Sequence, residues 1–189
     1  MLNEKETLVR CLDGDRQAQK AIYEHYCSRM LGVCFRYVRT IEDAEDVLQD
    51  AFIRAFSNIH QYRYDGSFEA WLRKLMVNTS LNHLHKNRRL KEQLELESVA
   101  YYISEDVETD AQLHAKDIFE TLKALPDGYR TVINLYSIEG YSHKEIGEMM
   151  GINESTSRSQ YTRARMLLAR LLTAKGRIAT SNNNGKIVF

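Results

Sequence analysis

Carboxylates recur along "EDAEDVLQD". Asp43, Asp46 and Asp50 fall at i, i+3 and i+7, with Glu42 and Gln49 beside them. On a helix this spacing lines them along one face. Paired carboxylates can move protons or hold a divalent cation, but each needs partners of complementary chemistry. No histidine or cysteine stands nearby at ligand spacing. From the residues alone the stripe is a solvated face, with Asp50 and Arg54 spaced to pair along it. His83 and His85 lack a partner cluster, so no metal is expected. Cys34 lies in the apolar run "MLGVCFRYV" and reads as buried and inert. The chain shows no activated nucleophile and no phosphate-binding glycine loop. An enzyme is therefore not expected, and no cofactor with it.

Cations offer a different chemistry. The chain is neutral overall, with 26 basic and 26 acidic residues. Yet seven bases and no acid follow Ser155, in a region that opens with "NESTSRSQYTRARMLLARLL". At helical spacing Arg158, Ser159, Thr162 and Arg163 share one side, opposite Tyr161, Ala164, Leu168 and Leu171. Arginine and small polar side chains at the start of a helix suit base edges, while Arg165 and Arg170, further along, suit phosphates or solvent. A second polar stripe, Lys74, Asn78, Asn82, His85 and Arg89, recurs at four- and three-residue intervals. Just before it, "HQYRYDGSFEAW" mixes Arg63 with Tyr62, Tyr64, Phe68 and Trp71. Aromatics beside cations are what unpaired bases stack on, although Phe68 and Trp71 fit a protein core equally well.

These side chains must be positioned by helices. One proline in 189 residues, modest glycine and no alternating apolar pattern favour an all-α chain. "DAEDVLQDAFIRAFSNI" puts Ala44, Val47, Leu48, Ala51, Phe52, Ala55 and Phe56 on a broad apolar face. "SFEAWLRKLMVNTSLNHLHKNRR", "LHAKDIFETLKAL" and "DGYRTVINLYSIEG" also read as helices, with Pro126 between the last two and Gly140 as a stop. Ser142 and Glu145 form a capping box. Gly147 permits close approach of a second helix, Gly151 a left-handed helix end and Asn153 the next cap. The result is a helix-turn-helix. Nine acids and one base between Glu92 and Glu120 mark an acidic linker that DNA would repel. The expected layout is an N-terminal domain at 1–92, a linker at 93–112, a helix-turn-helix domain at 113–175 and a flexible tail at 176–189. No apolar run is long enough for a membrane span or signal peptide. Cys11, Cys27 and Cys34 make a poor disulfide set, which fits a cytoplasmic protein.

"LPDGYRTVINLYSIEGYSHKEIGEMMGINESTSRSQYTRARMLL" resembles the C-terminal domain of an extracytoplasmic-function (ECF) sigma factor. "DAEDVLQDAF" and "FEAWLRKLMVNTSLNHLHKNRR" resemble the N-terminal domain of that family. The resemblance implies a promoter-recognition subunit whose partners are core RNA polymerase, promoter DNA and an anti-sigma factor. It implies that Asp46, Gln49 and Asp50 meet the polymerase clamp helices. It also implies that the aromatic loop and the helix after it, through Arg63, Lys74, Asn78 and Asn82, read the downstream promoter element and capture a flipped base. Gly147 stands where alanine is usual, Ser157 where valine is usual, and Gln160 where arginine or lysine is usual. The last change removes an expected phosphate contact. Two other readings compete: a helix-turn-helix regulator that binds DNA without polymerase, and an enzyme carrying a DNA-binding domain. The first leaves the acidic helix and the aromatic loop idle.

Overall fold

The computed structural model describes residues 3–94 and 120–174. The chain divides into two compact units, Met1–Val107 and Glu108–Phe189. All regular structure among the described residues is helical, as expected.

Among the described residues the first unit holds four α-helices, α1 (Glu4–Leu12), α2 (Arg16–Phe35), α3 (Ile41–Ser57) and α4 (Phe68–Leu94), with a short 3-10 turn at Ile59–Gln61. Side chains start the first three. Asn3 accepts from the Glu6 N–H, Asp15 from Gln17 and Ala18, and Thr40 from Asp43. Each cap satisfies a backbone donor that the helix cannot. The stripe Ile22, Tyr26, Met30 and Val33 of α2 is buried against Ala44, Val47, Leu48, Ala51 and Phe52 of α3 and Phe68, Leu72 and Met76 of α4. The α3 face is the expected one, with Phe56 only half-buried at its edge. Polar ties fix the angles. Arg29 of α2 pairs with Glu69 of α4 at 2.8 Å, and the Tyr26 hydroxyl donates to Glu4 of α1.

A helical segment at 120–123 opens the described part of the second unit. Then come α5 (Asp127–Ile133), a π turn (Asn134–Ile138), α6 (His143–Met150) and α7 (Glu154–Ala174). The π turn is a departure: the segment ending at Gly140 reads as one ordinary helix. In the structure the Glu139 N–H reaches Asn134 O, five residues back, and Gly140 (φ 79°) then reverses the chain. Leu122, Leu125, Ile133, Ala164, Leu168 and Leu172 form the core, with Tyr161 and Leu171 packed on it. Arg130 of α5 is fully buried, held by Asp127 at 2.9 Å and by the Lys123 carbonyl at 3.3 Å. Most of the expected linker at 93–112 and all of the tail at 176–189 lie outside the described residues; α4 itself continues to Leu94. Residues 113–119 of the helix expected before Pro126 lie outside them too.

Candidate nucleic-acid and polymerase interfaces

The turn between α6 and α7 decides where the basic side chains point. Ser142 caps α6: its Oγ accepts from the Glu145 N–H, and the Glu145 carboxylate accepts from the Ser142 N–H at 2.8 Å. Gly151 ends α6 in the left-handed region at φ 65°, a conformation that costs glycine little. Both the Gly151 and the Ile152 N–H donate to the Gly147 carbonyl, which draws the turn onto α6. A Cβ on Gly147 would stand 2.7 Å from the Ile152 carbonyl oxygen, so this glycine is what allows the close approach. Asn153 stands at the cap position of α7, and its carbonyl receives the Ser157 N–H at 3.0 Å.

From that start α7 presents Arg158, Ser159, Thr162 and Arg163 outward, all exposed, while Ala164 and Leu168 face the core. The expected base-reading set is thus brought together on one side. Arg158 lies against Glu154, its Nε and Nη2 donating to one carboxylate oxygen at 3.1 and 2.5 Å. Arg165 differs from the others. It is half-buried, its guanidinium lies 5.7 Å from the centre of the Tyr161 ring, and its Nε is buried without a hydrogen-bond partner. Gln160 explains its own departure from the family pattern: its side chain turns inward beside Gly128 of α5, and its Oε1 is buried. Ser157 is fully buried, within 3.0 Å of His143 Nδ1, so a polar contact stands where the family usually has valine.

In the first unit, Asp46, Gln49 and Asp50 are exposed on the side of α3 opposite its buried face, with Glu42. Ile53 stands in the same stripe, 64% exposed, an apolar side chain among carboxylates and an amide. Lys74, Asn78 and Asn82 are exposed along α4, in line with His85; the Arg89 side chain lies outside the described residues. His83 has polar partners: its Nε2 lies 3.2 Å from Asp43 and 2.8 Å from the Asn87 amide. Cys34 is buried, and burial pushes its thiol up to about 12, which keeps it protonated and unreactive.

The loop before α4 holds a cluster of tilted and edge-on aromatic rings. Tyr64 lies 4.7 Å from Tyr62, and Tyr62 lies 5.4 Å from Phe68 and 5.7 Å from Trp71, between ring centres. The structure separates the two residues the sequence left ambiguous: Phe68 is core at 0% exposure, whereas Trp71 is half-buried. Tyr64 has φ 60°, an uncommon conformation for a side-chain-bearing residue, and is half exposed at the outer end of the cluster. The Tyr62 hydroxyl closes the loop by donating to Gly66 O at 2.7 Å. Arg63 is exposed beside it. The positive φ of Tyr64 has no signature in residue type.

Comparison with known proteins assigns both units. Residues 22–90 match sigma-70 region 2, and residues 115–168 match sigma-70 region 4. Two such regions, in this order, define a sigma factor of RNA polymerase. The ECF RNA polymerase sigma-E factor of Haemophilus influenzae is 29% identical over 184 residues, covering 88% of this chain and 94% of that protein. The ECF sigma factor SigW of Bacillus subtilis is 29% identical over 180 residues, covering 89% and 96%. Among solved structures, the sigma factor RpoE of Bartonella quintana, in complex with the anti-sigma factor NepR, shares the fold at TM-score 0.54 and 20% identity, over 82% of this chain and 96% of that one. CnrH, in complex with the cytosolic domain of CnrY, does so at TM-score 0.50 and 22% identity, over 90% and 97%. The chain belongs to the ECF sigma factors. It is a DNA-binding subunit that binds core RNA polymerase and directs transcription initiation. Among the described residues no helix is long and apolar enough to cross a membrane.

Proposed function

We propose that the two units divide the work of initiation. The N-terminal domain, about residues 1–92, holds core polymerase through Asp46, Gln49 and Asp50 of α3. It receives the downstream promoter element on Arg63, Lys74, Asn78 and Asn82, beside the aromatic cluster. Flipping a base out of the duplex costs a few kcal/mol, least where pairing is weak, and an exposed ring such as Tyr64 offers a surface on which it can stack. The C-terminal domain, about 113–175, reads the upstream element with Arg158, Ser159, Thr162 and Arg163 and touches backbone phosphates with Arg165. The acidic segment at 93–112 spaces the two. The chemistry of RNA synthesis is the polymerase's, and this chain catalyses none of it. Its place of action is the cytoplasm, and an anti-sigma factor is its regulatory partner, as NepR is for RpoE.

The observation that carries this reading is the pairing of two sigma-70 regions in one chain with an outward-facing basic recognition helix. The test is transcription in vitro by core polymerase, with and without this chain, on templates bearing candidate promoters. Promoter-specific initiation that requires the chain supports the reading. Specific DNA binding with no effect on the polymerase would instead make it a free-standing regulator.

A further inference from the structure

The helix-turn-helix contains a buried titratable cluster. His143, the first residue of α6, is 8% exposed, and its Nδ1 lies 3.0 Å from the fully buried hydroxyl of Ser157 on α7. Tyr136 of the π turn stacks on the imidazole, with ring centres 4.3 Å apart and planes 11° apart. Tyr161 of α7 meets the same ring edge-on at 5.6 Å, and its hydroxyl lies 3.1 Å from that of Ser137. Three elements, the π turn, α6 and α7, therefore close on one imidazole. Two charges act on it, both from the first turns of α7: Arg158 and Glu154, which pair with each other at 2.5 Å.

A neutral imidazole suits this place. One hydrogen bond to Ser157 satisfies Nδ1, and the flat ring fills the space under Tyr136. Burial opposes the charged form most, Arg158 opposes it further, and Glu154 favours it, so the pKa of His143 is held below its ordinary 6.5. Protonation would not by itself break the bond to Ser157, because a hydroxyl can accept as well as donate. It would set a second cation beside Arg158 and compete with Arg158 for Glu154. Arg158 belongs to the set assigned above to base reading, and Ser157 is its neighbour on the helix.

We propose that His143 is a positioning residue that makes promoter recognition by this helix-turn-helix pH-dependent: the neutral ring seats α7 on α6, and the charged ring disturbs both that seating and the Glu154–Arg158 pair. The proposal rests on the reading of α7 as the helix that contacts DNA. The native domain holds the proton less tightly than the unfolded chain does. Support from the ring is therefore complete above the ordinary histidine range and is lost as pH falls through it. A histidine that merely touched phosphates would give the opposite sign, because DNA favours its cation.

The test uses holoenzyme assembled from the full-length chain and core polymerase, bound to duplex carrying the upstream element at fixed ionic strength. Wild type is compared with His143→Phe, which keeps a ring under Tyr136 and cannot titrate. Between about pH 8 and about pH 5.5, the span in which histidines charge, the ratio of wild-type to variant affinity should fall about threefold or more. Independently, the ring resonances of His143 in the free full-length chain should titrate below 6.5. Ser157→Ala, which keeps the ring and removes its partner, should move that midpoint. Parallel pH profiles, a ratio that rises toward acid, or a ring that titrates at or above the ordinary value would each overturn the proposal. If His143→Phe proves unfolded by circular dichroism, His143→Gln takes its place and the ring titration stands unaffected. If no protein discriminates the element at any pH, the DNA-reading assignment has failed, and the ring titration still decides whether His143 is held neutral.

Discussion

Single residues set the precision of the recognition helix. Arg158 and Arg163 project from its first half, where a helix-turn-helix enters the major groove, and an arginine there can hold a guanine by two hydrogen bonds. Arg165 is half-buried over Tyr161, which leaves it less reach and suits it to a phosphate. Two classes of mutant follow. Arg158→Ala and Arg163→Ala should each lose about 1–3 kcal/mol of discrimination at particular base pairs. Arg165→Ala should weaken all sequences alike and flatten the salt dependence by about one unit. Binding to a panel of single-base-pair variants separates the classes; equal losses across the panel for Arg158→Ala and Arg163→Ala would leave phosphate contact only. Gly147 acts by what it lacks. Alanine is the better helix former by about 1 kcal/mol. Here, however, a methyl group would stand 2.7 Å from the Ile152 carbonyl, in a turn already pinned by two hydrogen bonds to Gly147 O. Overpacking of this kind typically costs about 1–3 kcal/mol. Gly147→Ala, although it installs the residue usual in the family, should lower the midpoint of thermal unfolding of the second unit rather than raise it.

At the scale of the element, α3 is an amphipathic helix whose polar side is as patterned as its apolar one. Ala44, Val47, Leu48, Ala51, Phe52 and Ala55 bury one side, and Asp46, Gln49 and Asp50 occupy the other. Ile53 breaks that polar side with the largest exposure of any large apolar residue on α3, and at 64% it contributes little to the fold. An apolar anchor inside a charged rim is how interfaces concentrate binding energy. Asp46→Lys with Asp50→Lys should abolish core polymerase binding while leaving helix content and melting unchanged, because like charges at an interface cost several kcal/mol and exposed positions tolerate the change. Ile53→Ala alone should weaken core binding by more than about 1 kcal/mol if it sits in the desolvated centre. Unaltered affinity in a pull-down titration with core enzyme would remove α3 from the interface. This helix was legible in sequence because its apolar period is uninterrupted, although its cap, Thr40, was not read and it begins at Ile41 rather than Asp43. The capping box at Ser142 and the left-handed Gly151 were legible for the same reason: each is a local pattern with a single geometric outcome. The π turn at Asn134–Ile138 was not, since no residue type marks an extra residue in the ladder, and the packing of Tyr136 on His143 and Tyr161 within it arises only once the chain is folded. The burial of Ser157 with His143 was hidden likewise, because the pair joins residues fourteen apart across a turn. The outward stripe of α4 followed from its spacing, whereas the choice between core and surface for Phe68 and Trp71 needed the structure, because both positions carry the same kind of side chain.

The whole molecule carries no net charge, and its signs are segregated along the chain. Seven bases and no acid follow Ser155, whereas nine acids and one base lie between Glu92 and Glu120. A helix-turn-helix domain taken alone would approach DNA as a cation and release counterions, so its affinity should be weak and steeply salt-dependent. The intact chain carries as many acidic residues as basic ones, among them the exposed carboxylates of α3. Their repulsion acts over about a Debye length, roughly 8–10 Å at physiological ionic strength, and is relieved when a basic partner covers them. Core polymerase, in the reading proposed above, is that partner. It neutralises α3 and holds both DNA-reading surfaces at a fixed spacing, which raises the effective concentration of the second contact once the first has formed. The free full-length chain should therefore bind promoter duplex poorly and with little preference for sequence. Adding core polymerase should raise both affinity and discrimination, and Asp46→Lys with Asp50→Lys should raise only the non-specific affinity of the free chain while removing the gain from polymerase. Fluorescence anisotropy with promoter and scrambled duplexes, at two salt concentrations and with or without core enzyme, measures all three. Tight and specific binding by the free chain at physiological salt would mean that neutral net charge and the acidic segment impose no restraint, and that this protein finds its promoters before it finds the polymerase.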